Sequence, residues 1–88
     1  MTKLHFKMVA VSTRKAYERA LRDFNLYCKN EGLKYGNSVP RAIIESYVVH
    51  LLTVRKLTAR NIKSRLAGVH ALLKMVNIEF EHGIPIVQ

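Results

Sequence analysis

The chain has one cysteine, no tryptophan, two prolines and only 6 acidic residues among 88. The lone Cys28 excludes an internal disulfide and a multi-cysteine zinc site. No apolar run approaches the ~20 residues that a membrane-crossing helix needs. The opening Met1-Thr2-Lys3-Leu4-His5-Phe6-Lys7 lacks the long apolar stretch of a signal peptide. These absences lead us to expect a cytoplasmic, nucleoid-like location, with no membrane partner. The length allows one hydrophobic core and excludes two.

Basic residues are abundant. Fifteen lysines and arginines against six carboxylates give a formal charge of +9. Hydrophobic residues make up 49% of the chain, which excludes a wholly disordered basic tail. So much positive charge on so small a body repels itself, and nucleic acid is the partner that most often offsets it. An anionic membrane surface and plain solubility are the competing explanations. No internal repeat or low-complexity tract is visible.

Turn-forming residues between Gly32 and Pro40, around Leu57-Thr58 and from Asn77 onward divide the chain into three helical segments. The first is expected from about Thr13 to Glu31, with Ser12 as its cap and Gly32 as a left-handed stop. Tyr17, Ala20, Leu21, Phe24, Tyr27 and Cys28 recur at steps of three and four and share one face. Lys15, Arg19, Arg22 and Lys29 lie opposite, and Leu26 faces outward without a reason. The second runs from about Pro40 to Lys56, with Pro40 in its first turn. Ile43, Ile44, Tyr47, Val48, Leu51 and Leu52 form a broad apolar face that Val49 and Val54 widen, so this helix is expected to be the most buried.

The third helix is expected from Ala59 to Val76, capped by Thr58. Its apolar stripe is Ile62, Leu66, Val69, Leu73 and Val76. Arg60, Lys63, Ser64, Ala67, Ala71 and Lys74 lie across from it, so small residues lie beside cations. Arg65 sits at the edge of the apolar arc and is expected to snorkel or to pair with a carboxylate, Glu45 being available. Three helices with short connections imply an all-α bundle. The segment 78–88 fits no helix and is expected to be an extended arm.

The inventory for catalysis is poor. There is no H-E-x-x-H, no glycine-rich phosphate loop and no G-x-S-x-G. Glu18 and Arg22 have the spacing of a surface ion pair. His5, His50, His70 and His82 have no ligand-like spacing, so neither a metal nor a cofactor is expected. Cys28 reads as a small core residue. Tyr17, Phe24, Tyr27 and Tyr47 read as core, which leaves Tyr35 in its loop as the tyrosine free for another role.

Three stretches carry a resemblance. They are Ser12-Thr13-Arg14-Lys15-Ala16-Tyr17 followed by Leu21-Arg22-Asp23-Phe24-Asn25-Leu26-Tyr27-Cys28, then Ile44-Glu45-Ser46-Tyr47-Val48-Val49-His50-Leu51, and finally Leu57-Thr58-Ala59-Arg60-Asn61-Ile62-Lys63-Ser64-Arg65-Leu66-Ala67-Gly68-Val69-His70. In this order and separation they resemble the N-terminal core-binding domain of the tyrosine recombinases, the phage integrase family. The similarity spans residues 12 to about 76. It implies a small orthogonal bundle of three to four helices, SAM-like, that clamps duplex DNA at a recombination site during integration or recombination. For a phage-encoded protein the location would be the host cytoplasm.

Carried onto matching positions, the resemblance selects Thr13, Arg14, Lys15 and Arg22 in the first helix, and Thr58, Arg60, Asn61, Lys63 and Ser64 in the third. These overlap the outward cations Lys15, Arg19, Arg22, Arg60, Lys63 and Lys74 found from helical spacing alone. Asn61 stands where the family often has threonine. The family's catalytic arginines, histidines and tyrosine nucleophile have no counterpart, and neither does the fourth helix. Residues 1–88 are therefore expected to be a single domain without strand-transfer activity, with 1–11 as an arm and 78–88 as a tail toward an absent catalytic domain. Duplex DNA is the expected partner, with no small-molecule substrate. The chain alone is expected to be monomeric, with self-association on DNA in a full-length protein. A helical protein-interaction module and a transcription regulator are the alternatives. A helix-turn-helix is disfavoured because the Gly32–Val39 connection is long.

Overall fold

The computed structural model describes residues 11–87. The elements in order are α1 (Val11–Glu31), β1 (Ser38–Val39), α2 (Arg41–Thr53), α3 (Ala59–Met75) and β2 (Glu79–Phe80). The fold is mostly helical, as expected. The addition is a two-stranded parallel sheet in which Ser38 pairs with Glu79 and Val39 with Phe80. Of the expected arm, residues 1–10 lie outside the described residues, and Val11 belongs to α1.

After each helix a residue with positive φ is followed by an apolar residue that returns to the core. Gly32 (φ 69°) precedes Leu33, whose N–H donates to the Cys28 carbonyl at 2.8 Å. Asn77 (φ 64°) precedes Ile78, whose N–H donates to the Leu73 carbonyl at 2.9 Å. Both are Schellman endings, in which a left-handed residue lets the chain satisfy the last carbonyls and tuck an apolar side chain under the helix. After α2 the positive-φ residue is Lys56 (φ 54°), three residues past Thr53, and a wider loop brings Leu57 N–H to the Leu51 carbonyl at 2.9 Å. Leu33, Leu57 and Ile78 all pack against the core.

Helix starts differ from one another. Thr58 caps α3 as expected, its hydroxyl accepting from Asn61 N–H at 3.2 Å. Ser12 lies inside α1 and so does not cap it. Pro40 precedes α2 rather than entering its first turn, and its extended backbone turns the chain into the helix. The capping group for α2 comes from far along the chain. The Glu81 carboxylate accepts from Arg41 N–H at 3.1 Å, where a negative charge also suits the positive end of the helix dipole.

The core joins Ala20, Phe24 and Cys28 of α1 to Ile43, Ile44, Tyr47 and Leu51 of α2 and Ile62, Leu66, Val69 and Leu73 of α3. The Phe24 and Tyr47 rings meet edge to face with centroids 5.0 Å apart. Phe80 and Val87 are also buried. The segment expected to be an extended arm is instead docked and turns after Phe80, where Gly83 N–H donates to the Phe80 carbonyl: strand pairing, the Glu81 cap and two core side chains hold it.

Two packing expectations are corrected. Leu52, placed on the apolar face, is exposed, as are Val49 and Val54, because α2 ends at Thr53 and buries only one side. Val76 likewise lies past the end of α3 and is exposed. The most extensive helix contact is between α1 and α3, and within it Gly68 lies against Tyr17. A Cβ there would lie 2.8 Å from the Tyr17 ring and 3.2 Å from its Cα. Gly68 is thus the residue that allows the two helices to touch.

Candidate nucleic-acid interface

Helix α3 crosses α1 at Gly68, and side chains from both helices converge on one flank of the crossing. A cleft of about 360 Å³ there is lined by Tyr17, Arg19, Arg22 and Asp23 of α1 and by Ser64 and Arg65 of α3, with Ala16 and Ala20 as its remaining wall. Three guanidinium groups and one carboxylate leave a formal excess of two positive charges.

Asp23 organises the cleft. Its carboxylate accepts from the Arg65 guanidinium at 2.7 Å, and an Arg55 nitrogen lies 3.9 Å away. One carboxylate of α1 thereby ties α3 and the segment after α2 to the same point. Arg65 does pair with a carboxylate, but with Asp23 and not Glu45. Glu45 instead pairs with Arg41 at 3.2 Å, one turn away on α2. A guanidinium has five N–H donors in a rigid fork, so an Arg65 held on one side keeps donors for the cleft. The Tyr47 hydroxyl is buried with no hydrogen-bond partner. Its burial is the main cause of a pKa raised above the usual phenol value, with Asp23 adding to the rise and Arg65 and Arg55 opposing it.

Of the residues expected from the sequence, Arg19, Arg22 and Ser64 come together in this cleft. Lys15 is exposed one turn before Arg19 and extends the same row. Thr13 is half-buried two residues before Lys15, and Arg14 is exposed. Helical spacing places Arg14 in the row of Glu18, Leu21 and Asn25, away from the Lys15–Arg19–Arg22 row. Arg60, Asn61 and Lys63 are exposed in the first turns of α3 beside the Thr58 cap. Lys74 is exposed in the last turn, about 16 Å along the helix axis from Lys63. The α3 cations therefore divide into a group at the cleft end and one that stands apart.

None of Arg14, Lys15, Arg19, Arg22, Arg60, Lys63 and Lys74 has a carboxylate within 4.0 Å among the described residues. The ion pair expected between Glu18 and Arg22 is thus not formed. Tyr35 is not free: its ring lies 5.8 Å from that of Phe24 and its hydroxyl donates to Asn25 Oδ1 at 2.7 Å. Among the described residues no group of three His, Cys, Asp or Glu side chains is arranged to hold a metal, and no helix is long and apolar enough to cross a membrane.

Sequence reasoning missed Asp23 and Arg65 as partners and Tyr17 as a cleft wall. The available signal was Gly68, a glycine in mid-helix, where it costs about 1 kcal/mol relative to alanine and so calls for a packing reason. Comparison with protein-family models, curated proteins and solved structures finds no match to this chain.

Proposed function

We propose that this chain is a DNA-binding domain of the core-binding type, a SAM-like bundle that clamps duplex DNA at a recombination site in the cytoplasm. The observation that carries the reading is the α1–α3 cleft, where Arg19, Arg22, Arg65 and Ser64 converge beside the free cations Lys15, Arg60 and Lys63. Guanidinium forks and a hydroxyl suit phosphate oxygens. Among the described residues these cations have no carboxylate within 4.0 Å, so phosphate is the counter-charge this reading gives them. A chain at +9 gains most by meeting a regular array of phosphates.

Salt titration of binding to a duplex tests the reading. Neutralising about five phosphates gives a log–log salt slope of about −4 to −5. Lys15→Ala and Lys63→Ala weaken binding to all sequences and each lower the slope by about one. Asn61→Ala or Ser64→Ala relaxes preference at one base if these groups read base edges. Affinity that is the same at low and high salt, or unaltered in both lysine variants, would refute the proposal.

A transcription regulator is the second reading, and one observation favours it. The connection from α2 to α3 is only the five residues Val54–Thr58, near the length of a helix-turn-helix turn. That mode uses the outer face of α3 and leaves the α1 row unused. Arg19→Ala and Lys63→Ala separate the two: loss in both supports the clamp, and loss in Lys63→Ala alone supports the regulator.

A further inference from the structure

Beyond Arg22, α1 carries a second concavity beside the basic cleft. It is a groove of about 470 Å³, walled by Leu21 and Leu26 of α1 and Leu72 of α3 and rimmed by Glu18, Arg22 and Lys29. Leu26 is 54% exposed, the outward residue for which helical periodicity gives no reason. Met75, one turn after Leu72 on α3, is also exposed.

We propose that this groove docks an amphipathic helix of a second protein, one that carries acidic residues beside its apolar face. The apolar walls require an apolar anchor, and the volume accepts one or two bulky side chains. The rim has two cations and one carboxylate, and Arg14 adds a third cation one turn before Glu18. A second copy of this chain brings another +9 and is repelled. An acidic partner is attracted by the same charge. A groove between two crossing helices is filled by side chains at i, i+3, i+4 and i+7 of a third helix.

Arg22 lines both the groove and the basic cleft. A partner carboxylate on Arg22 therefore withdraws it from phosphate, so peptide and duplex DNA weaken each other. This consequence rests on the DNA-binding reading; the docking itself does not.

The test titrates the isotope-labelled chain with a synthetic amphipathic helix of about 15 residues, leucine on one face and glutamate beside it. A second peptide replaces each glutamate by lysine. The expected result is amide shifts confined to residues around Leu21, Leu26 and Leu72. Binding is about tenfold weaker for Leu26→Ser and for the lysine peptide. Leu26 is on the surface, so Leu26→Ser retains the fold, which its thermal melt checks, and it leaves duplex DNA affinity unchanged. Shifts centred on Val49 and Leu52 of α2, equal binding of both peptides, parent-like binding by Leu26→Ser, or no binding would each overturn the proposal. Peptide binding as described, in a chain that shows no salt-dependent DNA affinity, sustains the groove and refutes the DNA reading instead.

Discussion

Cys28, Tyr35 and Tyr47 are weak acids placed where their charged forms are disfavoured. Burial raises the pKa of all three above the ordinary 9.0 of the thiol and 10.0 of the phenols. For Tyr35 the neighbouring Cys28 adds to the rise and the Asn25 hydrogen bond opposes it. A group with a raised folded pKa contributes stability that is complete below its unfolded pKa and is lost as pH rises through the folded one. The melting temperature is therefore expected to hold until about pH 9 and to fall progressively above it, with Tyr47→Phe melting higher than the parent above pH 10. A flat profile from pH 9 to 11 would contradict this. Cys28 and Tyr47 were legible as core because their spacing is helical. Tyr35 was not, because a loop has no periodicity and the ring's contact with Phe24 depends on where the loop folds back. The left-handed stops divide the same way. Gly32 and Asn77 are residues that tolerate positive φ, whereas nothing about Lys56 marks it. Lys56→Gly relieves that strain and is expected to raise stability by up to about 1 kcal/mol in a denaturant melt, after glycine's own entropy cost.

Among the elements, α1 and α3 are joined through Gly68, and the basic cleft and the apolar groove flank this contact. Gly68→Ala adds a methyl group 3.2 Å from the Tyr17 Cα, backbone that cannot swing aside. Overpacking of about 1–3 kcal/mol outweighs the ~1 kcal/mol gain in helix propensity, so net destabilisation is expected by chemical denaturation. Gly36→Ala serves as the control, since nothing lies within 4 Å of the added methyl. The sheet and the α2 cap depend on contacts about forty residues apart in sequence. Glu81→Gln retains an acceptor for Arg41 N–H but removes the charge at the helix N-terminus, and Glu81→Ala removes both. Losses of about 0.5 and 1 kcal/mol are expected in that order. The three helices were legible to within a few residues because their apolar steps are regular. The tail was not, because a two-residue strand gives no alternation to read and its partner Val39 precedes another helix. The burial of α2 was overstated because Val49 and Val54 are apolar without an element to cover them.

Over the whole molecule, charge acts on stability and on binding with opposite signs. Only three of the arginines have carboxylate partners among the described residues, and the Arg41–Glu45 and Arg55–Asp23 pairs are largely exposed. Exposed pairs contribute little, about 0–1 kcal/mol each, whereas repulsion summed over a +9 chain acts between every pair of uncompensated cations. Salt screens both, with a Debye length of about 30 Å at 0.01 M and 8 Å at 0.15 M. The longer-range repulsion is screened first, because the pairs lie within 4 Å and the free cations are spread over a body 45 Å long. Added salt is therefore expected to raise the melting temperature of the free chain by several degrees between 0.01 and 0.3 M. If the chain binds duplex DNA as proposed, the same range is expected to lower that affinity, because the counterions released on binding return to a more concentrated solution. Duplex DNA correspondingly stabilises the chain most at low salt, where the free chain is weakest. A melting temperature that falls with salt would show that local ion pairs dominate over net repulsion. A rise with salt that persists unchanged when duplex is present would show that the cations never meet phosphate.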